Sequence, residues 1–277
     1  GARSLLVLRF VARMKDAGFA VGVADVYDRP TVSGIASGLS GQPGAKSKSA
    51  AGRRVAGSDG IAIVGMATRT AGAADVDAFW RNLLEGREGI RRFSPQELDP
   101  SIPASLRERP NFVAARGALD DADKFDAAFF GISSREATIL DPQQRLMLEL
   151  SWSALEHAAI DPQRTEQRIG VYAGTANNSY IVQLRQEQPE LVAQVGEFAT
   201  MLASEKDYVA TRISNRLNLK GPAVSIHTAC STGLVAVTQA WHALASGQCD
   251  VALAGGASVV VPQEGGYLHV EGGMESA

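Results

Sequence analysis

The chain has 277 residues, of which 45% are hydrophobic and 21% charged, and its formal net charge is -3. This length and composition suit one large globular domain or two unequal ones, and the weak negative charge argues against a nucleic-acid partner. Two cysteines are too few for a disulfide framework or a four-ligand zinc site. No apolar run reaches the ~18 residues of a membrane span and no signal-peptide pattern is present, so we expect a cytoplasmic protein without a membrane partner.

The N-terminal segment is predicted to be helical and then flexible. Apolar residues recur at helical spacing from Ser4 to about Lys15, with Ser4 as N-cap, and Pro30-Thr31 opens a second short helix. From Gly38 to about Asp59 the chain is rich in Gly, Ser and Ala without an apolar period, which predicts a linker. GQPGAKS, residues 41–47, has a faint likeness to a phosphate loop, but no strand precedes it and we expect no nucleotide site.

Beyond the linker, helical and strand patterns alternate, which indicates an α/β core with a largely parallel sheet. The predicted helices are Val76 to Leu84, Arg135 to Ala159 with an interruption at Asp141-Pro142, and Ser231 to about Ser246. The predicted strands are Ile61 to Val64 ended by Gly65, Ile169 to Ala173 closed by Gly174, Ala223 to Ile226, and Val251 to Ala254 halted by Gly255-Gly256.

Cys230 is the strongest candidate for chemistry because it lies between a predicted buried strand and a predicted helix. Unpaired amides and the positive end of the helix dipole favour a thiolate at such a junction, and a thiolate can exchange thioesters. Small residues from Ala229 to Gly233 leave room for a substrate and let the backbone approach the sulfur closely. The Cys230 amide could also donate to an oxyanion. From position alone, inert packing of Cys230 remains an alternative.

Other polar groups are given lesser roles. His227 lies three residues before Cys230, but strand alternation points the two side chains apart, so a strand-end contact or an interface role is favoured over a catalytic base. Cys249 is predicted to be a small semi-buried side chain. Asp120, Asp121 and Asp123 are predicted to form a solvated loop and not a metal site.

Several motifs resemble a known family. GPAVSIHTACSTGLVAV, residues 221–237, resembles the active-site signature of β-ketoacyl synthases, and IAIVGMATR, residues 61–69, resembles the opening strand of polyketide ketosynthases. Residues 125–158, 205–223 and 252–273 are similar to further stretches of the family, in the family's order. The resemblance covers about Asp59 to Gly273, and it is to the ketosynthase of a modular type I polyketide synthase.

The resemblance implies a fold and a reaction. The expected fold class is α/β, a thiolase-like layered αβαβα arrangement of which residues 59–277 are the N-terminal part, in a parent protein that is a homodimer. Cys230 would accept an acyl chain from one carrier domain, and a malonyl-type extender on another would condense with it after decarboxylation. The family's two later histidines do not match His157, His227, His242 or His269, so this chain alone is expected not to condense substrates. Residues 141–145 are expected to cap and pin the long helix.

The first residues resemble the second part of an acyl carrier domain. Gly1 to Leu5 is similar to the family's Gly-Gly-x-Ser-Leu setting. By this resemblance residues 1–37 belong to a carrier domain, Ser4 bears a covalent 4′-phosphopantetheine, and residues 38–58 are the linker. A simple N-capping serine is the alternative. The order of carrier, linker and ketosynthase, together with a first residue other than Met, leads us to expect an internal piece of a multimodular protein.

Two other function classes remain open on the sequence alone. A non-catalytic interaction or chain-length partner module of the same fold would lack the nucleophile, so the presence of Cys230 argues against it. A cysteine hydrolase would need a histidine within hydrogen-bond reach of Cys230.

Overall fold

The computed structural model describes residues 4–29, 31–39 and 60–276. The chain divides into two compact units, Gly1–Ala56 and Gly57–Ala277. Each unit has its own apolar clusters and is described by itself.

The first unit is helical. Its helices are α1 (Ser4–Asp16), α2 (Val23–Asp28) and α3 (Val32–Leu39). Val7, Val11 and Val21 are buried together in a small apolar cluster. The predicted helix at Ser4 is confirmed, although Ser4 is its first residue and its side chain is not among those described. Helix α3 runs past the predicted linker start at Gly38, and the remaining linker, including residues 41–47, lies outside the described residues.

The second unit alternates helices and strands. Its helices are α4 (Val76–Glu85), α5 (Ala104–Arg107), α6 (Ser134–Ile139), α7 (Pro142–His157), α8 (Tyr180–Glu187), α9 (Pro189–Val195), α10 (Glu197–Ser204), α11 (Val209–Arg216) and α12 (Thr232–Ala245). Its strands are β1 (Arg91–Arg92), β2 (Phe112–Val113), β3 (Ala115–Arg116), β4 (Ile169–Thr175), β5 (Ala223–Ser225), β6 (Val251–Ala257) and β7 (Tyr267–Leu268). Short 3-10 turns lie at Lys206–Tyr208 and Ala229–Ser231. The predicted break at Asp141-Pro142 is confirmed, since α6 and α7 flank it.

The central sheet is parallel and has the strand order β5-β4-β6. Strand β4 is buried along its whole length, as expected for the middle strand of a parallel sheet. Both β4 and β6 continue through the glycines that were predicted to end them, because their register pairs Gly174 with Gly256 and continues to Thr175 and Ala257. Ladder hydrogen bonds to a neighbouring strand outweigh the low strand propensity of glycine here.

Helices cover both faces of this sheet. Successive strand residues point to opposite faces. On one face Ile169, Val171 and Ala173 join the main core with α7 and α11. On the other, Tyr172 packs with Ala236 of α12. The described part of this unit is therefore a helix–sheet–helix sandwich, and chain order places α12 directly after β5.

Helix α12 has an apolar outer side as well. Leu234, Val237 and Trp241 follow helical spacing and are 77%, 52% and 40% exposed. A helix that is apolar on both sides is typical of a layer enclosed between two others. Within the described residues, no helix has the length and apolar character to cross a membrane.

The predicted buried strand at Ile61–Val64 is wrong. The segment pairs with no strand in the described ranges, and Ile63 is 81% exposed. The residues that follow it lie against the end of α7, where the Met66 amide donates to His157 Nδ1 over 3.0 Å. A strand requires a neighbour for its N–H and C=O groups, and apolar periodicity alone does not supply one.

Candidate active site

Cys230 lies where the sequence placed it, between β5 and α12 at the carboxyl edge of the sheet. Its side chain is exposed. The preceding residue, Ala229, has φ of 54°, a left-handed conformation that is uncommon for residues other than glycine. The chain turns sharply here and presents Cys230 outward. Backbone strain of this kind is frequent at functional sites.

Hydrogen bonds close the turn around Cys230. The Thr228 amide donates to Thr232 Oγ1 over 3.0 Å, and Ser231 Oγ donates to the Thr228 carbonyl over 2.8 Å. The Ser231 amide approaches the same carbonyl at 3.3 Å. Residues 228–232 therefore form a closed loop held by side chains as well as backbone.

Two glycines form the floor under this turn. A Cβ on Gly174 would collide with the Ile226 carbonyl oxygen and lie 2.5 Å from Thr232 Cγ2, and a Cβ on Gly256 would lie 3.2 Å from Gly174 O. Gly233, by contrast, would meet nothing within 4 Å. The sequence predicted a close approach of the backbone at residues 229–233. The structure places the close contacts at Gly174 and Gly256, beneath the turn. In the sequence, both glycines lie near the end of a strand pattern, and for that reason they were predicted to end the strands. That position gives no indication that they pack against the turn.

The first turn of α12 lacks a side-chain cap, and its first amide, that of Thr232, donates to the Ala229 carbonyl. Ser231 is the N-cap residue and makes no side-chain cap hydrogen bond. First-turn amides without an internal partner and the positive end of the helix dipole favour negative charge. A group that becomes anionic next to this helix start is therefore stabilised by the backbone.

His227 does not form a dyad with Cys230, since no hydrogen bond joins the two in the described part of the chain. Its Nε2 lies 3.7 Å from Asp207 Oδ1, and neither ring nitrogen has a hydrogen-bond partner among the described residues. The contact with Asp207 matches the predicted strand-end role. A hydrolase dyad would need a hydrogen bond between His227 and Cys230.

A buried polar network braces the same edge of the sheet. Gln143 Oε1 accepts from the amides of Ala176 and Val259, which follow β4 and β6, at 3.1 and 3.2 Å. Asp141 caps α7 by accepting from the Gln143 amide at 2.9 Å. The predicted capping and pinning role of this motif is confirmed. It links the helix to both strand ends.

Asp141 is unusual in its electrostatics. Burial raises its pKa to about 6, against the opposing effects of the Gln143 hydrogen bonds and the charge of Arg145. The side chain is 1% exposed. Desolvation, which disfavours the charged carboxylate, is the largest of these effects on the Asp141 pKa.

The remaining candidates do not form a second site. Cys249 is buried against Gly170, and burial raises the pKa of its thiol. Asp121 pairs with Lys124 at 2.5 Å. No group of side chains suited to holding a metal occurs among the residues that the structure describes.

The fold and the site define an α/β protein of the thiolase-like type, with an exposed cysteine at the carboxyl edge of a parallel sheet. The chain belongs to the β-ketoacyl synthase family: the family described as "Beta-ketoacyl synthase, N-terminal domain" matches residues 58–277. The predicted family and fold class are confirmed.

Its relatives are polyketide synthases. The chain is 45% identical over 224 residues to a phenolphthiocerol/phthiocerol polyketide synthase of Mycobacterium tuberculosis, covering 78% of the chain and 15% of that protein. It is 39% identical over 276 residues to pikromycin polyketide synthase component PikAII of Streptomyces venezuelae, covering 94% of the chain and 7% of that protein. The chain therefore spans less than a sixth of either relative.

Solved ketosynthases share the fold. Ketosynthase twelve from the bacillaene polyketide synthase of Bacillus amyloliquefaciens matches with a TM-score of 0.67 and 34% identity, over 76% of this chain and 37% of that one. The module 1 ketosynthase of the bacillaene synthase from Bacillus amyloliquefaciens FZB42 matches with a TM-score of 0.61 and 32% identity, over 76% and 35% of the two chains.

Proposed function

We propose that residues 59–277 are the N-terminal part of a polyketide synthase ketosynthase domain, an acyltransferase of the 3-oxoacyl-carrier synthase type. The observation that carries this proposal is Cys230, exposed in a closed turn ahead of α12, whose N-cap residue makes no side-chain cap hydrogen bond. The membership of the chain in the β-ketoacyl synthase family supports it.

The first step is transfer of an acyl chain to Cys230. The thiolate attacks the carbonyl carbon of a carrier-bound thioester, and the electron pair moves onto the carbonyl oxygen. Amides at the start of α12 and the amide of Cys230 are the backbone donors nearest to the sulfur in sequence, and each such donor typically contributes ~3 kcal/mol to stabilising an oxyanion. Collapse of this intermediate expels the carrier thiolate and leaves the acyl group on Sγ.

The second step forms the carbon–carbon bond. A malonyl-type extender loses CO₂, and its enolate carbon attacks the acyl carbonyl on Cys230. The Cys230 thiolate leaves, and the β-ketoacyl product stays on the second carrier. By family resemblance this step uses two histidines in settings that the four histidines of the chain do not match, so we expect this chain to perform only the first step.

Residues 1–37 are proposed to be the end of a carrier domain, joined through residues 38–58. Ser4 is the first residue of α1, and the first turn of that helix carries no acidic residue. A phosphodiester on Ser4 would fit there, because the start of a helix favours an anion. When bound, 4′-phosphopantetheine would supply the thiol that carries the acyl chain. A phosphopantetheinyl transferase with coenzyme A should modify the chain and leave Ser4→Ala unmodified.

Acyl transfer is tested by intact mass after incubation with an acyl-N-acetylcysteamine thioester at neutral pH. The wild type should gain one acyl group and Cys230→Ala should gain none. Cys249→Ala is the matched control and should acylate like the wild type, because Cys249 is buried. An adduct that persists in Cys230→Ala shows that another side chain is acylated and contradicts the assignment of Cys230. A wild type without any adduct also contradicts it, and favours a non-catalytic partner module.

A further inference from the structure

Thr232 has two contacts that converge on the turn containing Cys230. Its hydroxyl oxygen accepts from the Thr228 amide at 3.0 Å. Its methyl group faces the glycine floor, close enough that a Cβ on Gly174 or Gly256 would lie 2.5 or 3.6 Å from Cγ2. One β-branched side chain thus joins the turn above it to strands β4 and β6 below it.

The turn needs such a support. Ala229 adopts a left-handed conformation, which costs free energy in any residue with a Cβ. If the closing hydrogen bonds were lost, the favoured response of the chain would be rotation of Ala229 toward a negative φ. Cys230 follows directly, so its sulfur would move relative to the first turn of α12.

Thr232 is also the first residue of α12. A displacement of the turn around it therefore changes the distance between Cys230 and the helix start. The stabilisation of a thiolate by a helix terminus falls off within the first turn. The reactivity of Cys230 is thus sensitive to this side chain even though Thr232 has no chemical role.

We propose that Thr232 is a positioning residue for Cys230: its hydroxyl closes the 228–232 turn and its methyl group anchors the turn on Gly174 and Gly256. The inference rests on the proposed role of Cys230 as nucleophile. It adds a residue whose two halves, hydroxyl and methyl, can be removed separately.

The test is the pH profile of Cys230 alkylation by iodoacetamide in the full 277-residue chain, with Cys230 and Cys249 peptides quantified separately by mass spectrometry. Thr232→Val keeps the branched shape and removes the hydroxyl. We expect its alkylation at pH 7 to slow about fivefold, the ratio that corresponds to one net hydrogen bond, and its profile to move to higher pH. Thr232→Ser keeps the hydroxyl and removes the methyl group that faces Gly174 and Gly256, so its alkylation should also slow, though less than that of Thr232→Val.

Thr238→Val is the matched control. The Thr238 hydroxyl donates to the Leu234 carbonyl over 2.9 Å within the same helix, away from the turn, so its profile should equal that of the wild type. Buried Cys249 reports loss of structure in each sample, and its alkylation should not increase. If Thr232→Val does not fold, Thr232→Ser remains as the test, since it removes the methyl contact with Gly174 and Gly256.

A Thr232→Val chain with the wild-type rate and profile overturns the proposal for the hydroxyl, and a Thr232→Ser chain with the wild-type rate and profile overturns it for the methyl group. The outcomes remain distinct from those of the proposed function. A wild type that resists acylation contradicts the nucleophile, whereas a wild type that acylates beside an unchanged Thr232→Val profile contradicts only the positioning role.

Discussion

Asp141 is a buried carboxyl whose protonation should couple to stability. Its pKa in the folded chain is about 6, raised by burial from an ordinary value of 3.8. The folded state therefore binds the proton more tightly than the unfolded state. The stabilisation from this proton is complete below about pH 3.8 and is lost as the pH rises through about 6.

Asp141→Asn should remove this dependence. Between pH 4 and pH 7 the wild type should lose about 2 kcal/mol more unfolding free energy than the variant, because most of a shift of about two pH units, at ~1.4 kcal/mol each, falls in this window. Urea denaturation of both chains at the two pH values measures the difference, and the comparison cancels carboxylates common to both. An identical pH response in the two chains would show that Asp141 does not titrate in this window.

At the scale of single residues, the sequence predicted the position of Cys230 between a strand and a helix, but not the backbone geometry around it. Cys230 was singled out because a strand pattern and a helix pattern meet at it and because residues 221–237 resemble an active-site signature. The left-handed Ala229 was not, since alanine carries no signal for positive φ. Nor was the role of Thr232, because its partners Gly174 and Gly256 are distant in the chain and are brought beneath it only by the pairing of β4 with β6.

At the scale of elements, β4 lies very close to the chain that leads from β5 into α12, where a Cβ on Gly174 would collide with the Ile226 carbonyl oxygen. Gly174→Ala should destabilise the chain by about 2 kcal/mol or more, because the collision is with a backbone carbonyl that cannot move alone. The acylation rate of Cys230 should fall with it. Gly255→Ala, where a Cβ meets nothing within 4 Å, should change stability by less than about 1 kcal/mol. Urea midpoints and thioester acylation measure both, and equal effects would refute the close approach.

Elements were predictable where their own residues carry a full pattern and their partners lie within the described chain. Helices α7 and α12 and the three parallel strands followed from periodicity. Helix α2, Val23–Asp28, was missed because a six-residue helix offers too short a period. Ile61–Val64 failed for the opposite reason: its pattern suits a strand, but pairing depends on a neighbour that the pattern does not contain.

At the scale of the whole molecule, the outer face of α12 is the feature that the described residues leave open. Leu234, Val237 and Trp241 together form an exposed apolar stripe on a helix whose inner face packs on the sheet. The matched solved ketosynthases are longer, with this chain covering 37% of one of them. A stripe of this kind favours association when it is not covered.

We therefore expect the isolated chain to self-associate through α12. Leu234→Glu should raise the apparent dissociation constant about tenfold, since burying one leucine contributes ~1.5–3 kcal/mol and a charge there is costly to desolvate. Gln239→Glu is the control, because it adds the same charge at an exposed polar position on the same helix. Sedimentation equilibrium over a range of concentrations measures both. If Leu234→Glu associates as strongly as Gln239→Glu, the self-association contact lies elsewhere on the molecule, and the exposed apolar stripe of α12 is not part of it.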